Sequence, residues 1–101
     1  MKLLIVTCIK DYQENVQKIF KTIEIEVFSS VDITGFKGSN AINLLEEWFA
    51  AGDEKFDSTM FFSFTDDEQV TKAVKIIKEF NQKEASNFPV RAFILPVDSY
   101  I

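Results

Sequence analysis

Two stretches of this chain run through the same order of hydrophobic patterns, and that repetition limits what the chain can fold into more than any other feature. Lys2 to Ile9 is a continuous apolar run rich in branched residues, the signature of a buried strand. Asp11 and Glu14 then stand at capping-box spacing, and Tyr12, Val16, Ile19, Phe20 and Ile23 recur along one helix face. From Ile25 the period becomes two, with Ile25, Val27, Val31 and Ile33 on one side and Glu24, Glu26, Asp32 and Thr34 largely on the other. The order is strand, helix, strand.

The second unit occupies the other half of the chain. Ser58 to Phe64 alternates so that Met60, Phe62 and Phe64 share a side and Phe61 faces the reverse. Thr65-Asp66-Asp67-Glu68 has the form of a capping box, with Thr65 at the cap, and opens a helix in which Val70, Ala73, Val74, Ile77 and Phe80 form the apolar stripe as far as about Lys83. Gln82 to Asn87 reads as a polar turn. Phe88, Val90, Ala92 and Ile94 alternate in a last strand that Pro96 ends, with Pro89 holding its beginning outside the ladder. The whole is β-α-β, an insertion, then β-α-β. This predicts one α+β domain over residues 1–101, a ferredoxin-like βαββαβ sandwich with a long loop at 35–57 between strands two and three. Both helices should cover one face of an antiparallel sheet. The residues assigned to the other face, Phe28, Phe61, Phe93 and Leu95, are too apolar to stand in water, which predicts that subunits cover that face for one another.

Composition agrees with a self-sufficient globular core: 101 residues, 47% hydrophobic, with 11 Phe. The single Cys8 cannot form an internal disulfide and reads as a small core residue in a reducing compartment. The apolar run at 3–9 is short and lacks a small-residue cleavage site, so it reads as a strand rather than a signal peptide, and the expected location is the cytoplasm. A net charge of −5 without a basic patch argues against nucleic acid as a partner.

The insertion is the one stretch that the fold does not require. It begins with Thr34-Gly35-Phe36-Lys37-Gly38, where two of the chain's three glycines flank a lysine. Glycine there permits positive φ and close approach of a ligand, and Lys37 could meet a phosphate; an ordinary strand exit with an exposed lysine gives the same spacing. Asn43 to Gly52 then has the form of a short capped helix with Leu44, Leu45, Trp48 and Phe49 on its apolar side. Those side chains either pack on this subunit or its neighbour, or dock on a partner protein, with Leu45, Trp48 and Phe49 as the contact. No nucleophile–base pair can be identified and the chain has no histidine, so no catalytic residue is assigned. No metal ligand set and no cofactor is assigned either.

Taken together, these landmarks resemble the P-II-like superfamily of signal-transduction proteins. The resemblance runs from Met1-Lys2-Leu3-Leu4-Ile5 through Thr34-Gly35-Phe36-Lys37-Gly38 and Asp66-Asp67-Glu68-Gln69-Val70 to Val90-Arg91-Ala92-Phe93-Ile94-Leu95-Pro96-Val97. It implies a non-enzymatic homotrimer whose sheets pack inward, with small-molecule sites in the clefts between subunits and a long T-loop that reports to an effector such as a membrane transporter. Carried onto this chain, it makes Thr34, Gly35, Phe36, Lys37 and Gly38 the base of the T-loop at the ligand cleft, with Lys83 and Arg91 as the nearby basic residues. The family's second, glycine-rich phosphate loop would fall at Gln82-Lys83-Glu84-Ala85-Ser86-Asn87, which has no glycine, and the long loop has no tyrosine. These departures mark a divergent member and leave its ligand open. Two alternatives stand beside this reading. One is a trimeric metal-binding protein similar to the divalent-cation tolerance family, using Cys8 across subunits or carboxylates such as Glu46, Glu47, Asp53 and Glu54; the other is a small ferredoxin-like enzyme.

Overall fold

The computed structural model describes residues 1–36 and 55–101. The elements are β1 (Lys2–Ile9), a 3-10 turn (Lys10–Tyr12), α1 (Gln13–Thr22), β2 (Ser29–Phe36), β3 (Lys55–Thr65), α2 (Asp67–Glu84) and β4 (Arg91–Pro96). The sheet order is β2-β3-β1-β4 with every pairing antiparallel, so the chain is α+β with a ferredoxin-like topology, as the alternation of patterns predicts. β2 continues to Phe36 and β3 begins at Lys55, so the strands reach further into the predicted 35–57 insertion from both sides. Lys37, Gly38, Leu45, Trp48, Phe49 and the short helix expected at 43–52 lie outside the described residues.

The helices pack on the face that carries Leu4, Val6 and Cys8 of β1 and Thr59, Phe61 and Ser63 of β3, partners across the central ladder. Val16, Ile19 and Phe20 from α1, Ile23 just past its end, and Ala73 and Ile77 from α2 close the core over them, as the two helical stripes require. An aromatic trio anchors one side. Phe20 meets Phe28 edge-on with ring centroids 5.0 Å apart and Phe61 at 5.7 Å, and Phe28 and Phe61 are 6.0 Å apart. This corrects the assignment of Phe28 and Phe61 to the open face. Alternation tells which residues share a side of a strand, but not which side the helices take.

The entry to β2 also differs from the period-two reading, which ran the strand from Ile25. α1 ends in a Schellman motif: Glu24 adopts φ 65°, its N–H donates to the Lys21 carbonyl, and the Ile25 N–H donates to the Phe20 carbonyl. That turn drives Ile25 into the core at 4% exposure while Val27 is left outside, so pairing with β3 starts only at Ser29. Ser63 Oγ donates to the Val27 carbonyl over 2.7 Å, a side chain replacing a ladder bond. Asp11 does not cap α1 as its spacing suggests. It lies in the 3-10 turn, and Tyr12 is the N-cap, without a side-chain hydrogen bond. At α2 the cap forms, one residue later than Thr65: Asp66 Oδ1 accepts from the Gln69 N–H at 2.8 Å.

α2 ends at Ala85, whose φ of 46° is left-handed, in the segment read as a polar turn. From its last turns Asn81 reaches across to Val90. Its Nδ2 donates to the Val90 carbonyl and its Oδ1 accepts from the Val90 N–H, both at 2.9 Å, which pins the chain just ahead of β4. Val90 is 1% exposed, so both backbone groups would otherwise be buried without partners. Asn81→Leu is expected to lower stability by about 1–3 kcal/mol in urea unfolding, because it orphans those groups. Glu24→Gly or Ala85→Gly is expected to raise it by about 1 kcal/mol, because glycine carries no Cβ penalty at positive φ.

Candidate functional site

The residues that the sequence singles out converge on one end of the sheet. Thr34, Gly35 and Phe36 close β2 there, opposite Asp57, Phe56 and Lys55 of β3. Arg91 opens β4 at the same end, directly across from Thr7 of β1. Lys83 is exposed in the last turn of α2, which runs toward the start of β4. Gly35 is paired with Phe56 within the ladder and buried, so the glycine serves strand packing before it serves any hinge. Phe36 is 65% exposed.

Being at one end does not put these residues in one pocket. β2 and β4 are opposite edges of the sheet with β3 and β1 between them. Arg91 is level with Thr7, Met60 and Val31, so Thr34–Phe36 lie three interstrand steps of roughly 4.8 Å away and also three to five residues further along the strand direction, about 18–22 Å in all. Within a single chain they do not form a common cleft.

Around this end the polar groups divide by face. On the helix-covered side, Lys10 Nζ pairs with Asp32 Oδ2 at 3.1 Å, and Thr59 Oγ1 donates to Gln13 Oε1 at 3.4 Å. The Lys10–Asp32 pair is exposed on both sides, and such pairs add little stability. The open face carries Thr7, Ser58 and Arg91 near this end and is apolar beyond, with Leu3, Ile5, Met60, Phe62, Phe64, Phe93 and Leu95 on β1, β3 and β4. Val31 and Ile33 continue the apolar surface on β2. Phe64 is 58% exposed, Leu95 42% and Val31 44%. Phe93 and Leu95 therefore stand where the sequence placed them. The Thr7, Ser58 and Arg91 grouping was missed, because only strand register brings these positions together.

Among the described residues every carboxylate is exposed, and the buried polar side chains are the hydroxyls of Thr7, Ser58, Thr59 and Ser63. One open groove of about 540 Å³ lies between α1 and the segment entering β2 and is lined by Gln17, Lys21, Glu24, Ile25, Glu26 and Phe28. No described group of three His, Cys, Asp or Glu side chains is placed to hold a metal ion. Cys8 points into the core at 4% exposure, beneath the helices, and so is not placed to bridge subunits, one of the two ligand sets of the metal-binding alternative; the carboxylates of the other, Glu46, Glu47, Asp53 and Glu54, lie outside the described residues. Burial pushes its thiol up to about 12, which keeps it protonated and unreactive. Since the folded chain holds this proton more tightly than the unfolded chain, Cys8 stabilises fully below the unfolded value of 9.0, and that contribution is lost as pH rises from there toward 12. A thiol reagent at pH 8 is expected to leave Cys8 unmodified in the native protein and to label it in urea; equal labelling rates would contradict the buried placement.

No protein-family model matches the sequence, and no curated protein is similar to it. Solved structures are similar in fold. One is CPII, a nitrogen regulatory PII-like protein from Thiomonas intermedia K12 bound to ADP, AMP and bicarbonate, at 18% identity and a TM-score of 0.63, over 99% of this chain and 94% of that one. Another is a DUF3240 family protein from Shewanella baltica OS155, at 16% identity and a TM-score of 0.62, over 98% of this chain and 91% of that one.

Proposed function

We propose that this chain, which has a divergent PII-like fold, is a non-enzymatic regulatory protein that assembles as a homotrimer, binds a small ligand in the clefts between subunits and signals through its long loop. One observation carries the reading: Thr34, Gly35 and Phe36 sit at the same end of the sheet as Arg91 but on the opposite edge, so a second copy is needed to bring the two half-sites together. The apolar open face supplies the reason for copies to associate. Burying Phe62, Phe64, Phe93 and Leu95 against neighbours would remove surface worth about 25 cal/mol per Å².

The ligand classes to try first are those bound by CPII, adenine nucleotides and bicarbonate. Lys37 and Gly38 complete the β2 half-site in this reading, and Lys83 and Arg91 serve the other. Leu45, Trp48 and Phe49 are the effector contact, with a membrane transporter as the partner class and the cytoplasm as the location. No described helix is long and apolar enough to cross a membrane, so contact with a transporter would be made by docking.

In sedimentation equilibrium the protein is expected to behave as three copies of 11.6 kDa. Phe64→Glu should yield monomers that retain the native circular dichroism spectrum, because Phe64 is more than half exposed in the single chain. A monomeric wild-type protein would sink the assembly. Calorimetric titration with ADP, AMP and bicarbonate should show binding that Phe64→Glu abolishes, since the cleft is lost with the trimer. If binding persists in the monomer, the site lies within one chain and the reading fails.

A further inference from the structure

At the end of the sheet away from residues 37–54 the ladder between β2 and β3 opens. β2 is an edge strand, and its pairing with β3 begins only at Ser29. Ahead of it, Val27 turns its carbonyl toward β3, where Ser63 Oγ donates to it over 2.7 Å. Successive residues of a chain entering a strand direct their backbone groups to opposite sides, so those of Glu26 and Phe28 face the outer edge. Among the described residues neither has a backbone hydrogen-bond partner. The outer edge opens on the groove of about 540 Å³ beside α1, whose apolar floor is the buried Ile25 and the half-buried Phe28. On the other side of the same segment, a trough of about 290 Å³ is lined in part by Glu24, Glu26 and Asp66 and by Val27, which is 83% exposed. The charged lining of the two together is three carboxylates against the one ammonium of Lys21.

We infer that the outer edge at Glu26–Phe28 docks an extended segment of a partner protein, one in which apolar residues alternate with lysine or arginine. The inference goes beyond the regulatory reading, which uses the opposite end of the sheet and its open face. A segment laid along this edge supplies the outward N–H and C=O groups of Glu26 and Phe28 with partners by strand addition. Its side chains point alternately to two sides, so apolar ones can settle on Ile25 and Phe28 while basic ones meet Glu24 and Glu26. The described carboxylates are not grouped to hold a compact metal ion, and a cation carried on a long stem suits their spacing better. Glu24 adds an independent mark: it is held at φ 65°, where glycine is less strained. Strain kept at one residue points to a use for its side chain, and a carboxylate that binds a cation is such a use.

The test is fluorescence anisotropy of the full chain with labelled, end-blocked hexapeptides that alternate Lys or Arg with Val, Leu or Phe, beside the same set with Glu in place of the basic residues. The basic set should bind at least about tenfold more tightly, since two ion pairs become two repulsions in the acidic set. Glu24→Gly and Glu26→Gln should each weaken binding of the basic set by about two- to fivefold, the worth of an exposed ion pair. Glu24→Gly is the sharper variant, because it should raise the urea midpoint while lowering affinity, and a glutamate with a merely structural role does not separate the two. N-methylation of the central amides of the peptides should abolish binding, because strand addition needs those donors. Absence of binding by the basic set, equal binding of the two sets, binding that survives N-methylation, or affinity that neither glutamate variant alters would each overturn the inference. So would sedimentation in which Glu26→Lys changes the association state of the chain without peptide, because the edge would then belong to a second copy. Titration with ADP, AMP and bicarbonate is independent of all these outcomes, so the regulatory reading stands or falls separately.

Discussion

The structure depends on the one-sided packing of two helices against a four-stranded sheet, anchored where Phe20 of α1 meets Phe28 and Phe61 edge-on. This contact selects the face with Leu4, Val6 and Cys8 as the interior and leaves the face with Ile5, Phe62 and Phe93 uncovered by the described helices. Aromatic rings contribute both buried area and preferred geometry. A trio with edge-on contacts also fixes how far β2 can extend, because Phe28 must leave the ladder line to join it. The late start of β2 at Ser29 and the Schellman turn at Glu24 are parts of the same arrangement.

One-sided packing links the fold to the use proposed for it. A sheet with helices on both faces would have no apolar surface left for assembly, and its two edges would be of no consequence to each other. Here the order β2-β3-β1-β4 sends the end of β2 and the start of β4 to opposite edges of one end of the sheet. Copies of the chain meeting through the open face can then join edges that one copy keeps apart. Local devices hold those edges in place: the Asn81 clamp on Val90 aims Arg91 into its ladder position opposite Thr7, and the Asp66 cap sets the start of the helix that carries Asn81.

Much of the fold was legible in the residues. The stripes Val16–Ile19–Phe20–Ile23 and Ala73–Ile77 became the helix faces of the core, and Met60, Phe62 and Phe64 share a side against Phe61. Helix periodicity survives folding because it reflects a single amphipathic surface. The errors arose where two local signals competed. Asp11 and Glu14 had the spacing of a capping box, yet the chain spends Lys10–Tyr12 on a 3-10 turn. Ile25 and Val27 alternated like strand residues, yet a helix C-terminal motif captured Ile25 for the core.

By itself the sequence determined the element order, the amphipathic helices and the side of each strand on which a residue lies, because these depend on spacing along the chain. The tertiary structure alone decided which side of the sheet the helices would cover, since alternation is symmetric between the two faces. For that reason Phe28 and Phe61 moved into the core while Phe93 and Leu95 stayed outside it. It also brought Arg91 beside Thr7, 84 positions apart in the chain, because strand register depends on pairing between distant segments and leaves no mark in the spacing of either one.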